Sequence, residues 1–396
     1  MRAICYLLTC ILGTSFSLHA QENGTFHEDF NHKDSLVAWT LRLNDVIRSG
    51  GQQHHSPKTS TLSFVGQRLE SPLFAVNSLQ YYRLDIRSQS SEKLLWGIVF
   101  YDAQGTMLLA DVYSSIDPSP SIQHSTFYFQ SKANAHRAQI WIPAREEQKV
   151  VIDEVSITST SPEAVLTWTD SIYSSIPPVP VIPHPNRLSL LPNTQRALTS
   201  GEKIKVVMLG NSIINDTGNS AWELLVEKYY PGTDLEVITS VRGGTGCQYY
   251  QENNRVDTFV VQYQPDLLII GGISHGNDTN AIHNVIRQVR EKIQPPPEIL
   301  VMSGPVGKQG DPRLNPEFSL TPPFGDFRAS LEAMATDAEV AYFDMKTEWG
   351  KYISESGKDY DYFLRDPVHA NARGRQVLAR ILASYFISSP EGTSPK

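Results

Sequence analysis

The stretch VVMLGNSIINDT, residues 206–217, sets an apolar run against a glycine and a serine among short polar side chains. A continuous apolar run of this kind reads as a strand covered on both faces, and such strands belong to parallel sheets. Working outward, the chain from residue 203 alternates. Strand-like runs appear at IKVVML (204–209), LEVITSV (235–241), DLLIIGG (266–272), EILVMSG (298–304) and VAYFDM (340–345). Helix-like stretches lie between them: SAWELLVEKYY (220–230), VDTFVVQY (256–263), NAIHNVIRQVREKI (280–293) and FRASLEAMAT (327–336). A last one, GRQVLARILASYF (374–386), closes the domain. In the third, Ile282, Val285, Ile286, Val289 and Ile293 form one apolar stripe, with Asn280 the expected cap. Alternation of this kind predicts a three-layer α/β domain with a five-stranded parallel sheet over residues 203–387.

Ligand sites of such folds lie at the carboxyl ends of the strands. Ser212 follows the first strand directly and is expected at that edge. A serine needs a base to become nucleophilic, and the base needs an orienting partner. RDPVHAN (365–371) supplies such a pair in Asp366 and His369, three residues apart.

The first half reads differently. YYRLDIRS (81–88), LLWGIVFYD (94–102), TFYFQS (126–131), AQIWIPA (138–144) and VVIDEVSIT (150–158) alternate with period two and have no helical period between them. They predict an all-β sandwich or jelly roll over 24–158, with DAQG (102–105) as a hairpin turn. Residues 159–202 are proline-rich without a sustained period and are expected to be an extended linker.

The formal net charge of the 396 residues is −8 with no Lys/Arg run, which argues against nucleic-acid or anionic-membrane partners. MRAICYLLTCILGTSFSLHA (1–20) has the pattern of a secretory signal peptide cleaved after Ala20, so a secreted or periplasmic protein is expected. Removal of that segment takes Cys5 and Cys10 and leaves Cys247 alone, without an internal disulfide. No His, Cys or acidic cluster suggests a metal, and no cofactor is expected. Tyr249, Tyr250 and Trp222 are aromatic candidates for sugar stacking, with a core role as the plainer reading.

LGNSI (209–213) and DPVHAN (366–371) together resemble the first and last blocks of the SGNH (GDSL-like) hydrolases, with Asn211 where aspartate is usual. The resemblance implies a flavodoxin-like catalytic domain in which Ser212 is the nucleophile, His369 the base and Asp366 its partner. It also implies an oxyanion hole from the N–H of Ser212, a glycine of SVRGGTGC (240–247) and an asparagine. Gly246 is the preferred glycine by position and Gly243 the alternative; Asn277 in GND (276–278) is the asparagine, with Ser274 and His275 occupying the usual place of that block. The implied activity is hydrolysis of small-molecule or polysaccharide esters, O-acetyl groups foremost. An acyltransferase with the same triad and a non-catalytic polysaccharide-binding protein remain as alternatives.

Overall fold

The computed structural model describes residues 26–28, 40–43, 54–55, 62–180, 187–272, 278–305, 307–308, 311, 313 and 327–387. The leader 1–20 and the residues Ser274, His275 and Asn277 lie outside them.

Antiparallel strands between Phe26 and Ser159 form two six-stranded sheets. Burial alternates along them, as in Val112–Ile116 and Arg137–Pro143, because one face of each pleat packs inward. The shared core is apolar and aromatic, including Leu84, Trp96, Phe100, Phe127, Ile140 and Ile152. The turn at 102–105 joins Leu94–Tyr101 to its antiparallel partner Val112–Ile116. Asp102 Oδ1 accepts from the N–H groups of Gln104 (2.9 Å) and Thr106 (2.8 Å) there.

The second half carries a five-stranded parallel sheet. Its spatial order is Asp234–Val241, Lys203–Gly210, Leu267–Gly272, Glu298–Ser303, Ala341–Phe343. In sequence terms this is 2-1-3-4-5, the flavodoxin-like order. Successive residues of one strand serve opposite cores. Val206 and Met208 pack with the helices Trp222–Tyr229 and Ala372–Phe386, while Val207 and Leu209 pack with Thr279–Lys292 and Phe327–Asp337. The stripe Ile282, Val285, Ile286, Val289 and Ile293 lies wholly in the second core. The cap of its helix is Asp278 rather than Asn280: Asp278 Oδ1 accepts from Ala281 N at 3.1 Å. VDTFVVQY is broken into a short helix, Arg255–Phe259, and a 3₁₀ turn, Val261–Tyr263.

The stretch 159–202 departs from the extended linker expected of it. Pro162–Tyr173 and Pro192–Ser200 are helices. Ser161 caps the first, its Oγ accepting from Ala164 N, with Pro162 in the first turn where its missing N–H costs nothing. The helix is held by what it lies against. Val165 packs with Tyr81 and Leu224, and Asp170 accepts from Arg380 at 2.8 Å. Too short to be stable alone, it is helical because both halves of the protein cover it.

Candidate active site

The site begins where the first parallel strand ends. Asn211 has extended backbone and caps the helix Ser212–Gly218, its Oδ1 accepting from Ile213 N at 3.0 Å. Asparagine caps as well as aspartate, so the replacement keeps the turn. Gly272, at the end of the third strand, has φ +98°, and a Cβ there would sit 2.5 Å from Asn211 Oδ1. Glycine is needed at 272 both for the backbone and for the approach. Gly272→Ala is therefore expected to lower Tm by several degrees, through a strain cost of about 1–3 kcal/mol. It should also reduce turnover, because Asn211 must move beside the serine. An unchanged Tm and rate would count against this role.

Ser212 and the 365–370 loop, 157 residues apart at the serine and histidine, meet here. Ser212 Oγ lies 2.9 Å from His369 Nε2, and His369 Nδ1 lies 2.9 Å from both carboxylate oxygens of Asp366. Asp366 Oδ1 also accepts from the N–H groups of Val368 and His369, each at 2.9 Å. Burial alone would raise the Asp366 carboxyl. The hydrogen bond from His369 and those two N–H groups outweigh it and hold the carboxyl down at about 2. An ionised carboxylate can only accept, so Nδ1 carries the proton and Nε2 of the neutral ring is left to accept from the serine hydroxyl. The geometry thus selects the tautomer a general base requires.

The Asp366 pKa lies below its ordinary 3.8, so the group stabilises the fold above about pH 4 and that contribution is lost as pH falls towards 2. Asp366→Asn should erase this acid-range component of stability, seen as a flatter dependence of Tm on pH between about 4 and 2. It should also lower kcat by at least ~10²-fold, because an amide does not hold the base-competent tautomer. Equal pH profiles for the two proteins would refute the assignment.

Behind the loop, Asp216 accepts from Arg365 at 2.6 Å, Arg375 at 3.1 Å and Ala370 N at 3.0 Å. All three charged side chains are buried. This group ties the helix that begins at Ser212 to the residue after His369, and nothing in local sequence pattern marks it. The last helix, Ala372–Phe386, is capped by Asn371, whose Oδ1 accepts from Gly374 N at 3.0 Å, so Asp366 is free of that duty.

Ser212, Asp366 and His369 open onto a cavity of about 240 Å³. Gly243 is on its wall, whereas Gly246 lines a separate small cavity with Gly210, Gly271 and Gly272. Asn277 lies outside the described residues. The opposite wall comes from the β-sandwich, through Leu95, Leu109, Asp111, Tyr113 and Ser114. Sequence reading did not single out these residues.

The remaining candidates are structural. Trp222 is fully buried and stacks on Phe386 with centroids 5.4 Å apart. Tyr250 is buried, its hydroxyl donating to Gly210 O at 2.5 Å and accepting from Arg242 N at 2.9 Å. Tyr249 is held between the guanidinium groups of Arg242 and Arg255. Burial pushes the Cys247 thiol up to about 12, which leaves it unreactive. Among the described residues no group of three His, Cys, Asp or Glu side chains could hold a metal, and no helix is long and apolar enough to cross a membrane.

In its parallel five-stranded sheet and its two motif blocks the chain resembles the SGNH hydrolases. No family model and no curated protein matches the chain. Solved structures similar to parts of it include a two-domain esterase active on acetylated mannans, 16% identical, with a TM-score of 0.42. That likeness covers 52% of this chain and 56% of the other, so this chain spans little more than half of that protein's length. A catalytic mutant of an acetylxylan esterase from Geobacillus stearothermophilus is 14% identical, covering 46% of this chain and 94% of its own, with a TM-score of 0.37. A family two carbohydrate esterase from Cellvibrio japonicus is 15% identical, covering 91% and 96%, with a TM-score of 0.30. Each is a likeness; the activities belong to those proteins.

Proposed function

We propose that the protein is an exported serine esterase that removes acyl groups, O-acetyl foremost, from a polysaccharide. The observation that carries this reading is the continuous chain from Asp366 through His369 to Ser212, each link 2.9 Å, with the serine on a cavity wall. In this reading Ser212 Oγ attacks the ester carbonyl while His369 Nε2 takes its proton and Asp366 holds the resulting imidazolium. The oxyanion is stabilised by the N–H of Ser212 and of Gly246, and by the Asn277 amide; Gly243, on the cavity wall, is the alternative glycine. Collapse expels the sugar alcohol, which leaves with the proton from His369. Water, deprotonated by His369, then attacks the acyl-Ser212 ester, releasing the carboxylic acid and restoring the serine. Nothing in this cycle calls for a cofactor.

Export rests on the leader at 1–20, and the polysaccharide on that leader together with the acidic charge and the β-sandwich ahead of the site. The test is chemical. A fluorophosphonate should give a single adduct on the peptide containing Ser212, absent from Ser212→Ala, and the protein should release acetate from an acetylated polysaccharide. An adduct elsewhere, or none, would overturn the reading.

A further inference from the structure

The cavity in front of Ser212 has two owners. Its catalytic wall carries Ser212 and His369, and its far wall carries Leu109, Asp111 and Tyr113 of the β-sandwich. The far wall is fastened to the helix that bears the nucleophile. Asn215 Nδ2, three residues after Ser212, donates to Asp111 Oδ1 at 2.7 Å and to Asp111 O at 3.1 Å. Asn219 Nδ2 donates to the same carbonyl at 3.0 Å, and the Arg375 guanidinium donates to Tyr113 O.

The Tyr113 ring is fixed from behind. Tyr113 stands opposite Gly97 in the antiparallel register, and a Cβ on Gly97 would come within 2.1 Å of the ring. The phenol therefore packs against the backbone of the neighbouring strand and also forms part of the cavity wall. Burial pushes its hydroxyl up to about 12, so it stays a neutral donor and acceptor at working pH. Asp111 adds a carboxyl group to the same wall. An aliphatic acyl chain laid here would strip water from that carboxyl without replacing a hydrogen bond, which is costly. A hydroxylated ring would satisfy it, and the C–H face of a pyranose suits an aromatic ring held in the cavity wall. A uronate would bring a second carboxylate against Asp111.

We propose that the β-sandwich wall selects the alcohol half of the ester, Tyr113 stacking on a neutral sugar ring and Asp111 accepting from one of its hydroxyls. The inference rests on the esterase reading above and makes Tyr113 a specificity-determining residue supplied by the other domain.

The test compares kcat/KM for a mono-O-acetyl methyl pyranoside with that for 4-nitrophenyl acetate, and follows the ratio of the two. The wild type should favour the sugar acetate over ethyl acetate and over the acetate of a uronic acid. Tyr113→Ala should lower the sugar-to-aryl ratio by roughly tenfold, the worth of one good contact, and Tyr113→Phe by about threefold at most. A ratio unchanged in Tyr113→Ala, or equal losses on both substrates, would overturn the proposal. Should Tyr113→Ala fail to fold, Leu109→Ala decides. Leu109, on the same wall, is 48% exposed, so its replacement is expected to leave the fold intact, and its loss should lower the ratio by about threefold; no change overturns the proposal. No turnover of either substrate by wild type would instead defeat the esterase reading. Turnover of the aryl ester without preference for the sugar ester would leave that reading standing and defeat this one.

Discussion

Ser212→Ala and His369→Ala are each expected to lower kcat/KM for 4-nitrophenyl acetate by ~10³-fold or more. On the esterase reading, the alanine at 212 removes the hydroxyl proposed to form the acyl bond. The alanine at 369 leaves the hydroxyl with no base at 2.9 Å, and an alcohol is a poor nucleophile at neutral pH. Because the two groups act as one unit, the double variant should be no slower than either single variant. A small residual rate over water is expected from the oxyanion donors and binding alone. The measurement is 4-nitrophenol release by purified mature protein, with Tm recorded to show that each variant is folded. Three proteins with equal rates would make Ser212 a turn residue and return glycan binding as the better account. A His369→Ala variant that keeps its rate while Ser212→Ala loses it would point to a different base.

Asp216→Ala is expected to be the most damaging substitution outside Ser212, Asp366 and His369. Asp216 is 1% exposed and pairs with both Arg365 and Arg375, which are 7% and 6% exposed. Removing one partner of a buried ion pair leaves charge without solvent or counterion, at a cost of roughly 3–5 kcal/mol. For a domain of this size that corresponds to a Tm lower by on the order of 10 °C. The loss also reaches the chemistry. Ala370 N donates to Asp216 Oδ2 at 3.0 Å, and Arg365 donates to Ala370 O at 2.6 Å, so this side chain is one anchor of the loop that carries Asp366 and His369, beside the Lys308 N–H that donates to Pro367 O at 2.8 Å. Asp216→Asn keeps the shape and loses the charge, and should fall between wild type and alanine. Thermal unfolding by circular dichroism checks the order. A Tm within about 2 °C of wild type for Asp216→Ala would remove the anchoring role.

Several features of this molecule were readable along the chain because their causes are local. Period-two burial in Arg137–Pro143 and the stripe from Ile282 to Ile293 follow from strand and helix geometry, so they show in residue spacing. The parallel sheet follows from the alternation of such segments. Asp366 and His369 could be paired on paper because three residues let one short loop close the contact. Ser212 could be placed at a sheet edge because it directly follows an apolar run.

Other features have non-local causes. The helix Pro162–Tyr173 is too short to hold itself, and its sequence shows a cap but no partner; Tyr81, Leu224 and Arg380 make it a helix from distances of 51 residues and more along the chain. Asp216, Arg365 and Arg375 are buried together, and nothing near them in the sequence says so. Tyr113 and Asp111 lie in a separate all-β domain and join the cavity only because that domain docks on Asn215, Asn219 and Arg375. Local propensity and spacing thus set the elements and brought Asp366 and His369 together. Burial and electrostatics, which depend on how distant segments pack, set the anchor of the 365–370 loop and the second wall of the cavity.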